Sequence, residues 1–381
     1  MIPRAFYQPV LICAAVFLSP LLFVRARRRA RGASATAQLR ILITPQLTRI
    51  GDLVCSTPVF RALKRAYPGA YLAVLATNKN AAVLQNNPHI DEVILYRRVG
   101  GVFKLPHLLR ARRFDWSIDL TGNAFSAAFA LLALIPRRVR PTYNGRPLLL
   151  RLADCFATDL FHYEHHTFLP KFYLRLLQPL GIHAEDARPE VFVSPAERAA
   201  VAAFLGTRGV ASDALLVGMS ITAGNKIKEW GDEHFAELAK LILSAHPHTL
   251  LLIGGPADAS RIDALIALLP ESVRGRVVSA TGLPLHELPA LMERLVLYVG
   301  VDTGPIYIAH ALRIPLIDIV GPVDASEQPP QDERSVCILP PDVPPTSFVF
   351  KSRGNPALTR KALAATSVSN VFGAVEKLLS H

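Results

Sequence analysis

Acidic residues are absent from the first 51 positions of this 381-residue chain; eight arginines fall there, and the first carboxylate is Asp52. Taking those eight charges from the net +12 leaves about +4 for everything that follows, an ordinary balance for a folded body. The basic excess sits in one terminal stretch and not on a face with interleaved aromatics, which argues against a nucleic-acid partner. Cysteine is scarce: Cys13, Cys55, Cys155 and Cys337 are scattered, with no CxxC pair and no histidine at metal-ligand spacing. Neither a disulfide scaffold nor a zinc site is expected, and the compartment is a reducing one. Charged residues make up only 19% against 51% hydrophobic, which excludes disorder for the bulk of the chain. No GxGxxG follows the first strand-like run, which disfavours a dinucleotide-dependent dehydrogenase. No DxD-like pair stands where it would hold a divalent ion, so neither a metal nor another cofactor is expected.

One long uncharged run is present. Residues 7–24, YQPVLICAAVFLSPLLFV, are just long enough, at about 18 residues, to cross a bilayer core as a helix. The cluster RARRRARG follows at once, and by the positive-inside tendency it keeps the rest of the chain on the cytoplasmic side. A cleaved signal peptide is the rival reading, but its charge precedes the apolar run, and here only Arg4 does. Pro9, Pro20 and the marginal length also fit a helix lying in the membrane interface. Residues 1–38 therefore read as an apolar anchor with an Arg-rich tether, single-pass or peripheral.

From Leu39 onward short apolar runs alternate with amphipathic segments: LRILIT as a strand, TPVFRALKRA as a helix, AYLAVLAT as a strand. The same grammar restarts near ALLVGMSI at 214–221 and continues through FAELAKLILSA, TLLLIGG and LVLYVGV. Such alternation predicts an α/β protein with two doubly wound Rossmann-like domains, each a mostly parallel sheet covered on both faces. The expected boundaries are 39–190 for the first domain and 191–350 for the second, with residues 351–381 as a tail ending in the amphipathic helix SVSNVFGAVEKLL. The run AFSAAFALLALI, 124–135, is too short to span a membrane and reads as a buried helix; the alternative is that Arg110, Arg112, Arg113, Arg137, Arg138 and Arg140 around it face anionic lipid or a phosphorylated acceptor.

The most informative stretch is VDTGPIYIAHAL, 301–312: a strand end, a tight polar DTG, then the first turn of an apolar helix. Unbonded amides at a helix start make a cradle for phosphate or diphosphate. Asp302 or Thr303 serving merely as an N-cap is the plainer reading of those residues. Two other landmarks accompany it, Gly51-Asp52 near the start and Lys228-Glu229-Trp230 in the middle.

Together with RIGDLVCSTPVFRALKRAYP, NNPHIDEVI, RRFDWSIDLTGN, TAGNKIKEWGDEHFAELAKLI, LLIGGPAD, TGLPLHELPALM and VDTGPIYIAHALRIPLIDIVGPVD, these landmarks resemble, in order, the ADP-heptose:lipopolysaccharide heptosyltransferases of glycosyltransferase family 9. The resemblance runs over roughly residues 39–380. It implies the GT-B architecture, two domains facing across a cleft, with the tail helix packing back across the interdomain region. It also implies an inverting, metal-independent transfer of heptose or a related sugar from a nucleotide diphosphate donor, ADP-heptose first among them, to a lipopolysaccharide core or similar glycolipid at the cytoplasmic face of the bacterial inner membrane.

Glycosyl transfer needs a base for the acceptor hydroxyl and positive charge for the leaving diphosphate. The resemblance assigns these roles to Asp52 and Lys228, with Lys226 two residues away as the competing lysine. Without it, Asp52 reads equally as a helix cap between a strand at 39–44 and a helix at 57–66, and both lysines read as solvated. On the donor side stand Thr222, Lys226, Gly254, Gly255, His286, Asp302, Thr303, Gly304, Pro305 and Tyr307; on the acceptor side Arg49, Gly51, Thr57, Asp119 and Asn123. Tyr307 departs from the family, which commonly has histidine there: tyrosine donates a hydrogen bond but carries no positive charge near neutral pH. His310, one turn on, reads as structural or as a stand-in. Two other readings remain open: a different nucleotide-sugar enzyme such as a 2-epimerase, and a catalytically silent, membrane-tethered homologue.

Overall fold

The computed structural model describes residues 15, 17–26, 38–96, 101–341, 343–350 and 356–380. The chain divides into two compact units, residues 1–188 and 189–381.

In the first unit the strands are short, and the first two are apolar runs buried on both faces, as parallel strands between helices are. In chain order the strands are β1 (Arg40–Thr44), β2 (Tyr71–Ala76), β3 (Glu92–Leu95), β4 (Trp116–Asp119), β5 (Arg137–Thr142) and β6 (Asp159–His162). All pair in parallel, in the order β3-β2-β1-β4-β5-β6. The helices are α1 (residues 17–26), α2 (Ile50–Val54), α3 (Thr57–Ala66), α4 (Gly101–Ala111), α5 (Ala124–Leu132), α6 (Leu148–Leu152) and α7 (Leu169–Arg175). The apolar 124–135 run forms α5, and its buried face joins Leu42, Leu75, Ile94, Leu105 and Leu109 in one cluster. Two of the arginines beside it are used inside the fold. Arg138 donates to the carbonyls of Phe156, Ile135 and Pro136, and Arg140 to those of Ala153, Gly122 and Asn123. Both are buried, so they offer no lipid-facing charge.

Ala15, Leu22 and Ala26 belong to that same cluster, and the Arg138 guanidinium lies 4.9 Å from the ring centroid of Phe23. The opposite side of α1 is open: Phe17 is 86% exposed, and Leu18, Leu21 and Val24 are exposed too. No helix among the described residues is long and apolar enough to cross a membrane. Residues 7–14 and 16 of the expected anchor, and 27–37 of the tether, lie outside the described residues.

The second unit repeats the plan with β7 (Leu216–Met219), β8 (Thr249–Gly254), β9 (Val277–Thr281), β10 (Leu295–Val301), β11 (Leu316–Ile319) and β12 (Ser335–Ile338), again all parallel and ordered β12-β11-β10-β7-β8-β9. Counted from its first strand, this is the same doubly wound order as in unit one. Its helices are α8 (Pro195–Gly206), α9 (Asp232–Ala245), α10 (Ala259–Leu268), α11 (Glu271–Arg274), α12 (Leu288–Met292), α13 (Gly304–Ala311), α14 (Pro356–Ala365) and α15 (Val368–Leu379). A capping box of Ser194 and Glu197 starts α8, and the Ser367 hydroxyl caps α15. The tail helix α15 packs Val371 and Val375 into the cluster formed by Phe235, Leu238 and Ile242 of α9 with Leu297, Val299, Ile317 and Ile319 of the sheet.

Candidate active site

In a doubly wound sheet the strand order reverses at one point, and ligands bind outside the carboxyl ends of the strands flanking it. In unit one those strands are β1 and β4, paired Thr44 to Asp119; in unit two they are β7 and β10, paired Met219 to Val299. The segments leaving these ends carry Asp52 and Asp119 in the first case, Lys228 and Asp302 in the second.

Asp52 sits not in an open turn, as expected, but in the first turn of the short helix α2, where a carboxylate suits the positive helix start. It is already buried, 6% exposed, and Arg49 approaches it at 3.8 Å from a half-exposed position. The fully buried hydroxyl of Tyr173 on α7 is pushed well up by burial first, then by Asp52, Cys55, Tyr163 and Asp119, which places these groups in one electrostatic neighbourhood. Gly51 is buried beside Asp52, and the Thr57 hydroxyl donates to the Val54 carbonyl at 2.8 Å, tying α3 to α2. Asp119 and Asn123 are occupied locally. Asp119 accepts from the Thr121 amide and hydroxyl and from the Ser126 hydroxyl, while Asn123 caps α5 through the amides of Phe125 and Ser126. Their polar atoms hold the β4–α5 turn in shape.

In unit two the chain leaves β7 through Thr222, half-buried, into a single 3-10 turn, Lys226–Lys228. The two lysines part here. Lys226 is exposed, and its ammonium makes no hydrogen bond or ion pair among the described residues, whereas Lys228 reaches across to the strand end after β10. Its ammonium donates to the Asp302 carboxylate at 2.5 Å and to the Asp302 carbonyl at 3.1 Å. The neighbours of Lys228 explain its placement. Glu229 accepts from the Ala223 amide and from Arg261 of α10, which also grips Asp232; Trp230 is buried, stacks on His234 and donates its indole N–H to the Thr366 carbonyl at 2.9 Å. The lysine turn is thus pinned on both sides.

Asp302 is 7% exposed, and its second oxygen accepts from the Tyr307 hydroxyl at 2.7 Å. Tyr307 is itself buried in the first turns of α13, so it serves Asp302 from behind. Thr303 is the N-cap residue of α13 but does not cap with its side chain; its hydroxyl donates back to the Val301 carbonyl at 3.0 Å. Gly304 and Pro305 follow as the first helical residues; Pro305 has no N–H and the Ile306 amide donates to the Thr303 carbonyl at 3.1 Å, which leaves the Gly304 amide at the positive helix start, the position suited to an anion.

The remaining expected residues are dispersed around this centre. A Cβ on Gly254 would come within 2.9 Å of the Asp258 Cβ, so glycine is required there for the α10 turn, and the Gly255 amide donates to Asp258 at 2.8 Å. His286 is 40% exposed, with Glu287 at 3.6 Å. His310 pairs with Asp332 at 3.2 Å; burial opposes that carboxylate's charge, but the hydrogen bond from His310 helps to bring it down to about 2. His310 is therefore structural.

One residue was not anticipated. Asp318 stands in the middle of β11 between Ile317 and Ile319, fully buried, opposite Gly300 on one side and Cys337 on the other. An acid at the centre of the apolar run IPLIDIVG was the signal that would have found it.

The chain matches the family model of glycosyltransferase family 9 (heptosyltransferase) over residues 102–351. It is 26% identical over 348 residues to lipopolysaccharide heptosyltransferase 3 of Escherichia coli (strain K12), covering 86% of this chain and 95% of that protein. Its fold matches the crystal structure of a glycosyl transferase family 9 protein from Veillonella parvula DSM 2008, with a TM-score of 0.75 at 20% identity over 92% of this chain and 99% of that one. It likewise matches E. coli ADP-heptose lps heptosyltransferase II, with a TM-score of 0.72 at 21% identity over 90% and 99%.

Proposed function

The chain belongs to glycosyltransferase family 9, and from that premise we propose that it moves heptose, or a related sugar, from a nucleotide diphosphate donor to a lipopolysaccharide core or similar glycolipid. The observation that carries this reading is the Lys228–Asp302 pair beside the start of α13, a single ammonium and the positive end of a helix at the switch point of the second sheet. There the Gly304 amide and the positive end of α13 hold the diphosphate, and Lys228 balances the charge that grows on it as the sugar leaves. Asp302, steadied by Tyr307, sets where the ammonium stands. Lys226, Thr222, Gly254, Gly255 and His286 border the donor.

On the acceptor side Asp52 takes the proton of the attacking hydroxyl while the new bond forms at the anomeric carbon and the bond to the diphosphate breaks, with inversion. Its burial at the start of α2 beside Arg49 supports the role by holding the carboxylate in one place. Arg49, Gly51 and Thr57 shape its surroundings, and Asp119 and Asn123 hold the adjacent turn.

The name of the similar E. coli structure makes ADP-heptose the first donor to try. Purified protein is incubated with ADP-heptose and with UDP-sugars, with and without a heptose-acceptor lipid. Sugar transfer supports the proposal. Conversion of the donor without acceptor would replace it with an epimerase, and binding without turnover with a silent homologue.

The outer side of α1, with Phe17, Leu18, Leu21 and Val24 exposed beside Arg25, is proposed to lie in the interface of an anionic bilayer at the cytoplasmic face of the bacterial inner membrane. Its inner side is committed to the protein core, which favours a peripheral seat over a lone spanning helix. Flotation with anionic against zwitterionic vesicles tests it: binding to both alike, or binding unchanged in Phe17→Glu with Leu21→Glu, argues for another seat.

A further inference from the structure

Beneath the Lys228–Asp302 pair lies a buried acid that the reaction above does not use. Side chains alternate along a strand, so on β11 Ile317 and Ile319 enter the cluster shared with α9 and α15, and Asp318 points to the other face. On β10 the same alternation puts Tyr298 and Gly300 on that other face, with Asp302 next in the series just past the strand end. Gly300 is the register partner of Asp318, and a Cβ there would come within 3.2 Å of the Tyr298 hydroxyl, so the tyrosine ring leans over the glycine toward Asp318. From Gly300, Asp302 is two residues further along the adjacent strand, which in a parallel sheet sets its Cα about 8 Å from that of Asp318.

Neither oxygen of Asp318 has a hydrogen-bond partner among the described residues. A buried carboxylate without a donor is far costlier than a buried carboxylic acid, so such a group takes up a proton. The groups that face it act in the same sense, with one exception. Burial is the largest influence and raises its pKa well above 3.8, the Asp302 carboxylate adds to this, and only the Lys228 ammonium opposes. Tyr298 from β10 is driven up by its own burial, which a hydrogen bond with Ser220 offsets in part and Asp318 reinforces, and Cys337 from β12 is driven up by burial and then by Asp318, so neither supplies a positive partner. From α13, Tyr307 is turned to Asp302 and His310 to Asp332; α15, on the far face of β11, brings the apolar Val371 and Val375.

This arrangement matters for the charge offered to a donor. With Asp318 neutral, Lys228 faces one carboxylate, and the positive end of α13 tips the site toward binding an anion. With Asp318 ionised, the lysine would be outnumbered by two carboxylates and the diphosphate would enter a negative field. We propose that Asp318 is a positioning residue of the donor site, a neutral acid stored under the Asp302 loop whose proton keeps Lys228 available to the diphosphate. The proposal rests on the reading of Lys228 as the diphosphate contact.

The test uses ADP as probe and the full-length protein. ADP affinity is measured by calorimetry from pH 6 to pH 9 for wild type, Asp318→Asn and Lys228→Ala, and the side-chain carboxyl carbons of aspartate are followed by carbon-13 NMR in wild type over the same range. One aspartate resonance is expected to report a protonated carboxyl at pH 7. Asp318→Asn is expected to bind ADP within about threefold of wild type at pH 7. Any loss of wild-type affinity on raising the pH is expected to track the titration of that resonance and to be missing in Asp318→Asn. A gain of tenfold or more in Asp318→Asn at pH 7, or a fall in wild-type affinity that the asparagine variant shares, overturns the proposal. Should the variant not fold, the wild-type spectrum decides: no protonated aspartate at pH 7 overturns it. Unchanged ADP binding in Lys228→Ala overturns the donor-site reading itself, and this inference with it.

Discussion

Lys228 bonds the same residue twice, its ammonium reaching both the side-chain carboxylate and the main-chain carbonyl of Asp302. A lysine held in this way is oriented before any ligand arrives, and the strand end after β10 is fixed by the grip. Lys226, two positions earlier in the same turn, shares none of it.

The two lysines should therefore separate cleanly. Lys228→Ala is expected to weaken ADP binding at least tenfold, about 1.4 kcal/mol or more, since a charge-assisted contact to phosphate is lost. Lys226→Ala is expected to stay within about threefold. Calorimetric titration of ADP into each variant checks this; equal losses would mean that the lysines act together.

Tyr307→Phe removes the hydroxyl that donates to the second oxygen of the buried Asp302 carboxylate. Roughly 1–3 kcal/mol is at stake. Turnover is expected to fall about tenfold or more with the fold retained, measured as kcat alongside the melting temperature. Tyr307→His, which restores a ring N–H donor, should recover part of the loss.

Asp52→Asn tests the base. Loss of a positioned general base costs on the order of 10²–10⁴ in rate, so kcat is expected to drop by that range while ADP affinity stays within about twofold. Turnover within tenfold of wild type would remove Asp52 from the chemistry.

Asp318 also predicts a pH dependence of stability. Its folded-state pKa is raised, so below the unfolded value near 3.8 both states are protonated and the residue costs nothing. As the pH climbs past that value, the unfolded chain ionises while the native one does not, and stability is lost until the folded pKa is passed. Asp318→Asn, which has no proton to release, should gain on wild type between pH 4 and pH 7. Melting temperatures of both proteins across that range give the answer, and a constant gap would mean that Asp318 titrates like an exposed acid.

Much of this was readable in advance because the relevant signals are local. Buried parallel strands write themselves as unbroken apolar runs such as LVLYVGV, and a strand followed by DTGP announces a helix start at the sheet's carboxyl edge. Contacts formed by distant segments were not readable. Nothing in KEW tells that the tryptophan reaches Thr366, 136 positions away, or that Glu229 meets Arg261. Asp119 and Asn123 looked like pocket residues because a polar strand end has the same composition whether it faces a ligand or closes its own turn. Asp52 fell inside a helix of five residues, too short to leave a periodic pattern. Arg138 and Arg140 read as surface charge, since carbonyls that coordinate a guanidinium carry no mark in sequence.

The dual commitment of α1 has a practical side. Leu22 and Ala26 help close the hydrophobic cluster over α5, while Phe17 and Leu21 look outward from the same ten-residue rod. Cutting the leader away to gain solubility would strip a wall from the first unit along with its greasy exterior, and the shortened protein would trade one sticky surface for another. Recoding only the outward positions to polar residues is the gentler route to a well-behaved preparation.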